Sequence, residues 1–170
     1  MEIRDLYDDN KKLTNETIKK GEKVPKGRYY LTVVVWIENS NNEFLIQKTS
    51  KEKGSYYSTT GGHPKSGETS IQGIVTEIKE ELGLSINQKD LVLFKTIKTN
   101  DDFVDLYYLK KDIDIKEIKV QKEEVEKVKW MRQEEIERLI KNRQFLPPHI
   151  DFYKDCLEYL NSKKEEVWNY

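Results

Sequence analysis

The sequence predicts a mixed fold of strands and helices, of the α/β (α+β) class, built as one domain over residues 1–170. A chain of 170 residues has the ordinary length for a single hydrophobic core. Aromatic residues make up 11% of it, whereas disordered chains contain few of them. Segments with strand patterns alternate with segments whose apolar residues recur at helical spacing, which indicates that both kinds of element are present.

The first half of the chain predicts two pairs of strands. Residues 1–24 contain two short apolar stretches around the turn signal Asp8-Asp9-Asn10, which favours an N-terminal β-hairpin extension. Residues 29–37 are almost continuously β-branched or aromatic, a pattern typical of a strand buried on both faces. A turn at 39–42 leads into a further strand at 43–47, and we expect these two strands to form a hairpin at the centre of the sheet.

A loop and an amphipathic helix follow. Residues 54–67 are rich in Gly, Ser, Thr and Pro and predict a loop. The segment 69–82 has apolar residues at 71, 74, 75, 78 and 82, which is helical spacing. Thr69 with Gln72 three residues later is typical of a capping box, and Gly83 lies where a left-handed glycine ends a helix.

The second half of the chain predicts further elements of both kinds. We expect strands at 91–97, 103–109 and 125–131, and helices at 133–141 and 149–160.

The charge balance excludes several classes of partner. With 30 basic and 31 acidic side chains the net charge is -1, so no overall field attracts nucleic acid or an anionic membrane. The longest apolar stretch, 31–37, is too short to cross a membrane, and the first residues lack the features of a signal peptide. We therefore expect a cytoplasmic protein with no nucleic-acid or membrane partner.

The metal-ligating side chains are mostly acidic. One cysteine, Cys156, excludes an intrachain disulfide, and two histidines exclude a multi-histidine metal site. Carboxylates would have to hold any metal.

Three glutamates form an acidic ridge on the 69–82 helix. At 100° per residue, Glu80, Glu77 and Glu81 lie at about -60°, 0° and +40°, beside the apolar face. Their mutual repulsion costs a few tenths of a kcal/mol, so a cation should compensate it. A solvated Glu/Lys surface is the alternative, but Gly73 on the same ridge favours close approach by a ligand. Carboxylates with substrate phosphates are the usual ligands of Mg²⁺.

Gly62, Glu68 and the segment 76–84 (Thr-Glu-Ile-Lys-Glu-Glu-Leu-Gly-Leu) closely resemble the Nudix box, Gly-x5-Glu-x7-Arg-Glu-U-x-Glu-Glu-x-Gly-U, where U is apolar. Eight of its nine specified positions match. The resemblance implies an α/β/α sandwich with a mixed sheet, in which residues 61–84 form the box loop and helix. The strand at 44–48 and the loop at 60–64 are most similar to the branch related to isopentenyl-diphosphate isomerase.

The resemblance also implies a metal site. Glu77, Glu80 and Glu81 would bind Mg²⁺ or Mn²⁺ together with the carbonyl oxygen of Gly61. Either Glu77 or a downstream acid would act as the base. Glu68 would brace the helix.

A further ligand and the substrate contacts are implied outside the helix. The family often takes one more metal ligand from a loop before a late strand, where this chain has Glu123 and Glu124, and we favour Glu124. Lys48 matches a position where the family often has a basic phosphate contact, and Gly62 and His63 would lie next to the substrate. His63 could contact a phosphate or assist the metal, but a single loop histidine is more often a turn residue, and for Lys48 an ordinary exposed lysine is the alternative.

The chain departs from the box at Thr76, where the family has an arginine that orients the carboxylates. Threonine supplies neither the charge nor the fork of donors. Activity would therefore be weakened, rescued by a lysine such as Lys79 or Lys65, or lost.

These observations predict a metal-dependent pyrophosphohydrolase that acts on a nucleoside di- or triphosphate or a related small diphosphate compound. The alternative is a Nudix fold retained as a ligand sensor or binding module, for which Thr76 is the support. Isopentenyl-diphosphate isomerase is less favoured, because Gly61 occupies the position of that enzyme's cysteine and its histidines are missing. The sequence leaves open the group attached to the diphosphate and whether the chain is a monomer or a homodimer.

Overall fold

The computed structural model of the protein describes residues 2–168 and contains nine strands and three α-helices in that range. In chain order these are β1 (Ile3–Tyr7), β2 (Leu13–Lys19), β3 (Tyr30–Glu38), β4 (Phe44–Thr49), β5 (Tyr57–Ser58), β6 (Thr60–Gly62), α1 (Ser70–Leu82), β7 (Leu91–Lys98), β8 (Asp102–Lys110), β9 (Val125–Met131), α2 (Gln133–Lys141) and α3 (Pro147–Trp168). Within residues 2–168, no helix is both long and apolar enough to cross a membrane.

The strands form a two-stranded and a seven-stranded sheet, the second of which is mixed. β3 pairs in parallel with β8 along its whole length, and β7 continues the sheet antiparallel to β8. β6 pairs antiparallel with β3, while β4 pairs antiparallel with both β9 and β5. The predicted mixed sheet is confirmed.

The predicted hairpin of β3 and β4 was wrong over most of its length, because only Glu38 and Phe44 are paired. Residues 60–62 form β6, which occupies the edge of β3 at Val33 to Val35. β4 therefore diverges from β3 and pairs with β9 instead. The segment 54–67 was expected to be a loop throughout, but it contains the short strands β5 and β6.

Helices cover both faces of the large sheet, as expected for an α/β/α sandwich. Val33 and Val35 point to one face and pack with Ile74 and Ile78 of α1. Trp36 points to the other face, where it packs in a cluster with side chains of α2 and α3 such as Ile136, Tyr153 and Cys156. This alternation explains why β3 is apolar at nearly every position.

The ends of α1 agree with the sequence signals. Thr69 Oγ1 accepts a hydrogen bond from the Gln72 backbone amide (3.3 Å), and Gln72 Oε1 accepts one from the Thr69 amide (2.9 Å). Gly83 ends the helix at φ 69°, in the left-handed region. The capping box and the C-terminal glycine are confirmed.

The last helix is longer than expected, since it begins at Pro147 and extends to Trp168. Proline suits the first turn of a helix, where its missing N–H would have no partner. The apolar spacing ends at Leu160, but the lysines and glutamates that follow favour helix and continue it.

Candidate active site

A cleft of about 440 Å³ opens beside the acidic ridge of α1. Six lining residues belong to the predicted loop and helix: Gly61, Gly62, His63, Glu77, Glu80 and Glu81. The other lining residues come from distant parts of the chain: Glu2, Arg4, Lys20, Lys53, Gln121 and Glu124.

Glu81 is the most buried carboxylate of the cleft, with 9% of its surface exposed. Burial raises the pKa of Glu81 well above its usual value, and the charges of Glu77 and Glu124 raise it further. Its Oε2 atom is buried and has no hydrogen-bond partner within the described residues. A buried carboxylate oxygen without a partner is costly, so this atom is available for a cation.

Glu77 lies against the backbone of the box loop. A Cβ atom at Gly62 would be 2.3 Å from Glu77 Cδ, so only glycine leaves space for the carboxyl group there. Burial, followed by the charge of Glu80, raises the pKa of Glu77 to about 7. The loop and the helix thus hold a carboxyl group of raised pKa at the cleft.

Lys65 supplies a positive charge to the ridge. Its Nζ atom donates a hydrogen bond to Glu80 Oε1 at 2.5 Å. The Lys79 ammonium group instead donates to Ser85 Oγ (3.3 Å). Of the two lysines considered for the role of the missing arginine, the structure therefore places Lys65 on a ridge carboxylate.

Thr76 takes part in a contact of its own. Its hydroxyl donates to Glu68 Oε2 (2.6 Å), and the other oxygen of Glu68 accepts from the Lys65 backbone amide (2.7 Å). Glu68 thereby ties the loop to α1, the bracing position that the box resemblance implies. It does not line the cleft itself.

The donor set suits a hard divalent cation, although its ligand geometry is not preformed. Within residues 2–168, no group of three or more His, Cys, Asp or Glu side chains is arranged to hold a metal ion. Mg²⁺ usually keeps several waters and takes one or two protein carboxylates together with substrate phosphates. Burial and the neighbouring carboxylates raise the pKa values of Glu77 and Glu81, and Glu81 Oε2 has no partner among the described residues, so a cation bound between these side chains would be stabilising.

The interpretation of Gly73 was wrong. Gly73 is buried, and a Cβ atom there would be 2.5 Å from Pro64 Cγ. Its lack of a side chain therefore allows the loop to pack on α1 and leaves no opening for a ligand.

Lys48 lies outside the cleft. Its ammonium group is 3.8 Å from Glu126 and 5.6 Å from the centroid of the Tyr57 ring. Strand alternation places the preceding residue, Gln47, on the other face of β4, where it is buried and its Oε1 atom accepts a hydrogen bond from Thr60 Oγ1 (3.0 Å). Neither Gln47 nor Lys48 lines the cleft.

His63 lines the cleft but is held by the sheet. Its Nδ1 atom lies 3.2 Å from the Leu31 carbonyl oxygen, and its ring meets Tyr30 edge-on with centroids 5.2 Å apart. Burial lowers the pKa of His63, and the charge of Arg4 lowers it further. The imidazole at the cleft is therefore harder to protonate than a free histidine side chain.

Glu124 lines the cleft as expected for the acid before β9, with Lys53 Nζ 3.5 Å from its carboxylate. Sequence reasoning missed Arg4, Lys20 and Lys53. They are isolated basic residues in a lysine-rich chain, and only the long-range packing distinguishes them from surface charges.

Comparisons with known proteins agree with this fold. The family model described as NUDIX domain matches residues 28–156. A Nudix hydrolase of Listeria innocua is 33% identical over 151 residues, covering 86% of this chain and 89% of the relative. The crystal structure of a Deinococcus radiodurans protein has a TM-score of 0.70 at 19% identity, covering 85% of this chain and 91% of that chain.

The isomerase resemblance is limited to part of the chain. Isopentenyl-diphosphate Delta-isomerase of Pectobacterium atrosepticum is 34% identical over 83 residues, which cover 46% of each protein. The match therefore supports that branch only weakly.

Proposed function

Because this chain belongs to the NUDIX family of hydrolases, we propose that it is a metal-dependent pyrophosphohydrolase. Its substrate would be a nucleoside di- or triphosphate or a related diphosphate compound. The observation that carries the proposal is the buried Glu81 oxygen without a partner, next to the partly buried Glu77 in the cleft. Carboxylates held close together without a full counter-charge are suited to a divalent cation.

The metal would be Mg²⁺ or Mn²⁺, held by Glu77, Glu80 and Glu81 with the Gly61 carbonyl and Glu124 as further ligands. When bound, it would lower the pKa of water and neutralise negative charge on the phosphoryl oxygens. Gly62 allows the Glu77 carboxyl group to lie against the loop, and Lys65 fixes the side chain of Glu80.

The reaction would be attack of a water oxygen on a phosphorus atom of the diphosphate. The bond from that phosphorus to the bridging oxygen breaks, and the leaving phosphate carries away its electron pair. A cleft carboxylate, Glu77 or Glu124, accepts the proton from water. Glu68 takes no direct part, because it binds Lys65 and Thr76 outside the cleft.

The test is hydrolysis of a panel of diphosphate compounds by the wild-type protein. The panel contains nucleoside di- and triphosphates, nucleotide sugars, dinucleoside polyphosphates and isoprenoid diphosphates, each with Mg²⁺, Mn²⁺ or EDTA. Chromatography of the products should show turnover of at least one compound with metal and none with EDTA. Absence of turnover throughout the panel would contradict hydrolysis and favour the sensor or binding-module alternative.

Isomerisation of isopentenyl diphosphate is not expected. A Cβ atom at Gly61 would lie 2.8 Å from the Val33 carbonyl oxygen, so the paired strands leave no space for a cysteine at this position. NMR of isopentenyl diphosphate incubated with the protein and Mg²⁺ should show no second double-bond isomer. Appearance of that isomer would show that the alignment of Gly61 with the isomerase cysteine is wrong.

A further inference from the structure

We propose that the N-terminal hairpin forms part of the substrate site, where Arg4 and Lys20 bind phosphate oxygens of the diphosphate substrate. The inference rests on the proposed function and extends it to residues outside the family's domain. The NUDIX model begins at residue 28, whereas β1 and β2 span residues 3–19.

The hairpin is fixed to the rest of the fold by several contacts. Tyr7 and Tyr29 exchange backbone hydrogen bonds of 2.8 and 3.0 Å, and the Ser66 amide donates to the Ile3 carbonyl oxygen at 2.7 Å. Lys11 donates to both carboxylate oxygens of Asp105 at 2.7 and 2.8 Å, and Asp105 is fully buried. A hairpin anchored in this way holds its side chains at fixed places along the cleft.

Arg4 is held with part of its guanidinium group free. Its Nε atom donates to Glu2 at 3.2 Å, and its Cζ atom lies 5.5 Å from the centroid of the Tyr30 ring. The two terminal nitrogens make no hydrogen bond to any residue from 2 to 168. A guanidinium group already positioned on an aromatic ring loses little entropy when it binds a phosphate.

Lys20 also lines the cleft. Its backbone amide donates to the Glu2 carbonyl oxygen at 3.1 Å, which holds it beside the first strand. Its ammonium group forms no ion pair with a described residue, whereas Lys53, the third cation of the cleft, already lies 3.5 Å from Glu124.

The distribution of charge in the cleft indicates the ligand. Glu77, Glu80 and Glu81 form the acidic part of the cleft. On the hairpin, Glu2 pairs with Arg4 Nε, but the terminal nitrogens of Arg4 and the ammonium group of Lys20 have no partner among the described residues. A metal on the ridge and two cations on the hairpin together match a diphosphate, which carries several negative charges on adjacent phosphoryl groups.

The test is binding of methylenediphosphonate, a diphosphate analogue that cannot be hydrolysed at its bridge, measured by calorimetry with Mg²⁺. Arg4→Gln and Lys20→Gln should each bind it about tenfold more weakly than wild type, as expected on loss of a charge-assisted hydrogen bond. Lys19→Gln is the matched control, since Lys19 is an exposed hairpin lysine outside the cleft, and its affinity should equal that of wild type. With a good substrate, the two cleft variants should raise KM and leave kcat largely unchanged.

Should Arg4→Gln fail to fold, the affinities of Lys20→Gln and Arg4→Lys are measured in its place. Arg4→Lys keeps the positive charge at position 4 but removes the fork of donors. Wild-type affinity in all cleft variants of a protein that hydrolyses a diphosphate would overturn the role of the hairpin and leave the proposed function intact. A wild-type protein that neither hydrolyses the panel nor binds the probe would overturn both.

Discussion

The ammonium group of Lys65 lies 2.5 Å from a carboxylate oxygen of Glu80, on a helix where the family's arginine is replaced by Thr76. The lysine reaches the ridge from the box loop, and the helix itself supplies no cation there. Glu68 fixes the backbone of Lys65 and the hydroxyl of Thr76 at the same time. We infer that Lys65 is a positioning residue that has the role of the missing arginine.

Replacement of Lys65 should therefore weaken catalysis without unfolding the protein. Both partners of the Lys65–Glu80 pair are more than 40% exposed, so Lys65→Gln should change the free energy of unfolding by less than about 1 kcal/mol. Its kcat should fall about tenfold, or the metal concentration for half-maximal rate should rise by a similar factor. Lys79→Gln, the matched control on the outer side of α1, should behave like wild type.

Thr76→Arg completes this test. In the wild-type background it should be neutral or harmful, because Lys65 already pairs with Glu80 and Thr76 loses its bond to Glu68. In the Lys65→Gln background it should restore part of the lost rate. A rate increase by Thr76→Arg alone, with full activity in Lys65→Gln, would contradict the role of Lys65.

Gly62→Ala should reduce activity more than stability. The new methyl group would lie 2.3 Å from the end of the flexible Glu77 side chain, which can rotate away at small cost to the fold but then leaves its place in the cleft. Gly61→Ala should instead destabilise the protein, because its methyl group would meet the Val33 carbonyl oxygen of the paired strand. Chemical denaturation and hydrolysis rates of both variants separate these effects, and equal losses of stability would contradict this description of the loop.

Stabilisation by metal should depend on pH. The folded-state pKa of Glu77, about 7, lies above the unfolded value of 4.5. The folded state therefore favours protonated Glu77. The stability that this provides is fully present below about pH 4.5 and is lost as the pH rises through 7 and Glu77 becomes charged. A divalent cation compensates the charge that appears, so Mg²⁺ should raise the Tm more at pH 8 than at pH 5.

The measurement for this prediction is the Tm of the wild-type protein and of Glu77→Gln, with and without Mg²⁺, at both pH values. In Glu77→Gln the pH dependence of the metal effect should shrink. An equal increase at pH 5 and pH 8 in the wild type would show that Glu77 is not coupled to the metal.

The sequence was sufficient for the features whose causes are local. The capping residues Thr69 and Gln72, the terminal Gly83 and the apolar spacing between them all act within α1, and each was predicted correctly. The acidic ridge follows from the same periodicity. The spacing of the Nudix box then identified the loop that precedes the helix as part of the same site.

The features that sequence reasoning missed depend on long-range packing. β4 was assigned to the wrong partner because β6, a segment of glycine and threonine, occupies the edge of β3. The space above Gly73 is filled by Pro64, nine residues earlier in the chain. Arg4 reaches the cleft only because the hairpin folds back onto the domain, and no local pattern around Arg4 indicates this.

We propose that the α1 carboxylates support hydrolysis by binding a divalent cation. The most direct measurement is the Mg²⁺-dependent turnover of Glu81→Gln on the best substrate of the panel, beside Glu117→Gln as an exposed control outside the cleft. Glutamine keeps the shape of the side chain but removes the charge of a metal ligand, so we predict a loss of several orders of magnitude with the Tm preserved. Full turnover by Glu81→Gln, equal to that of wild type and Glu117→Gln, would show that the Glu81 carboxylate is not a ligand of a catalytic metal.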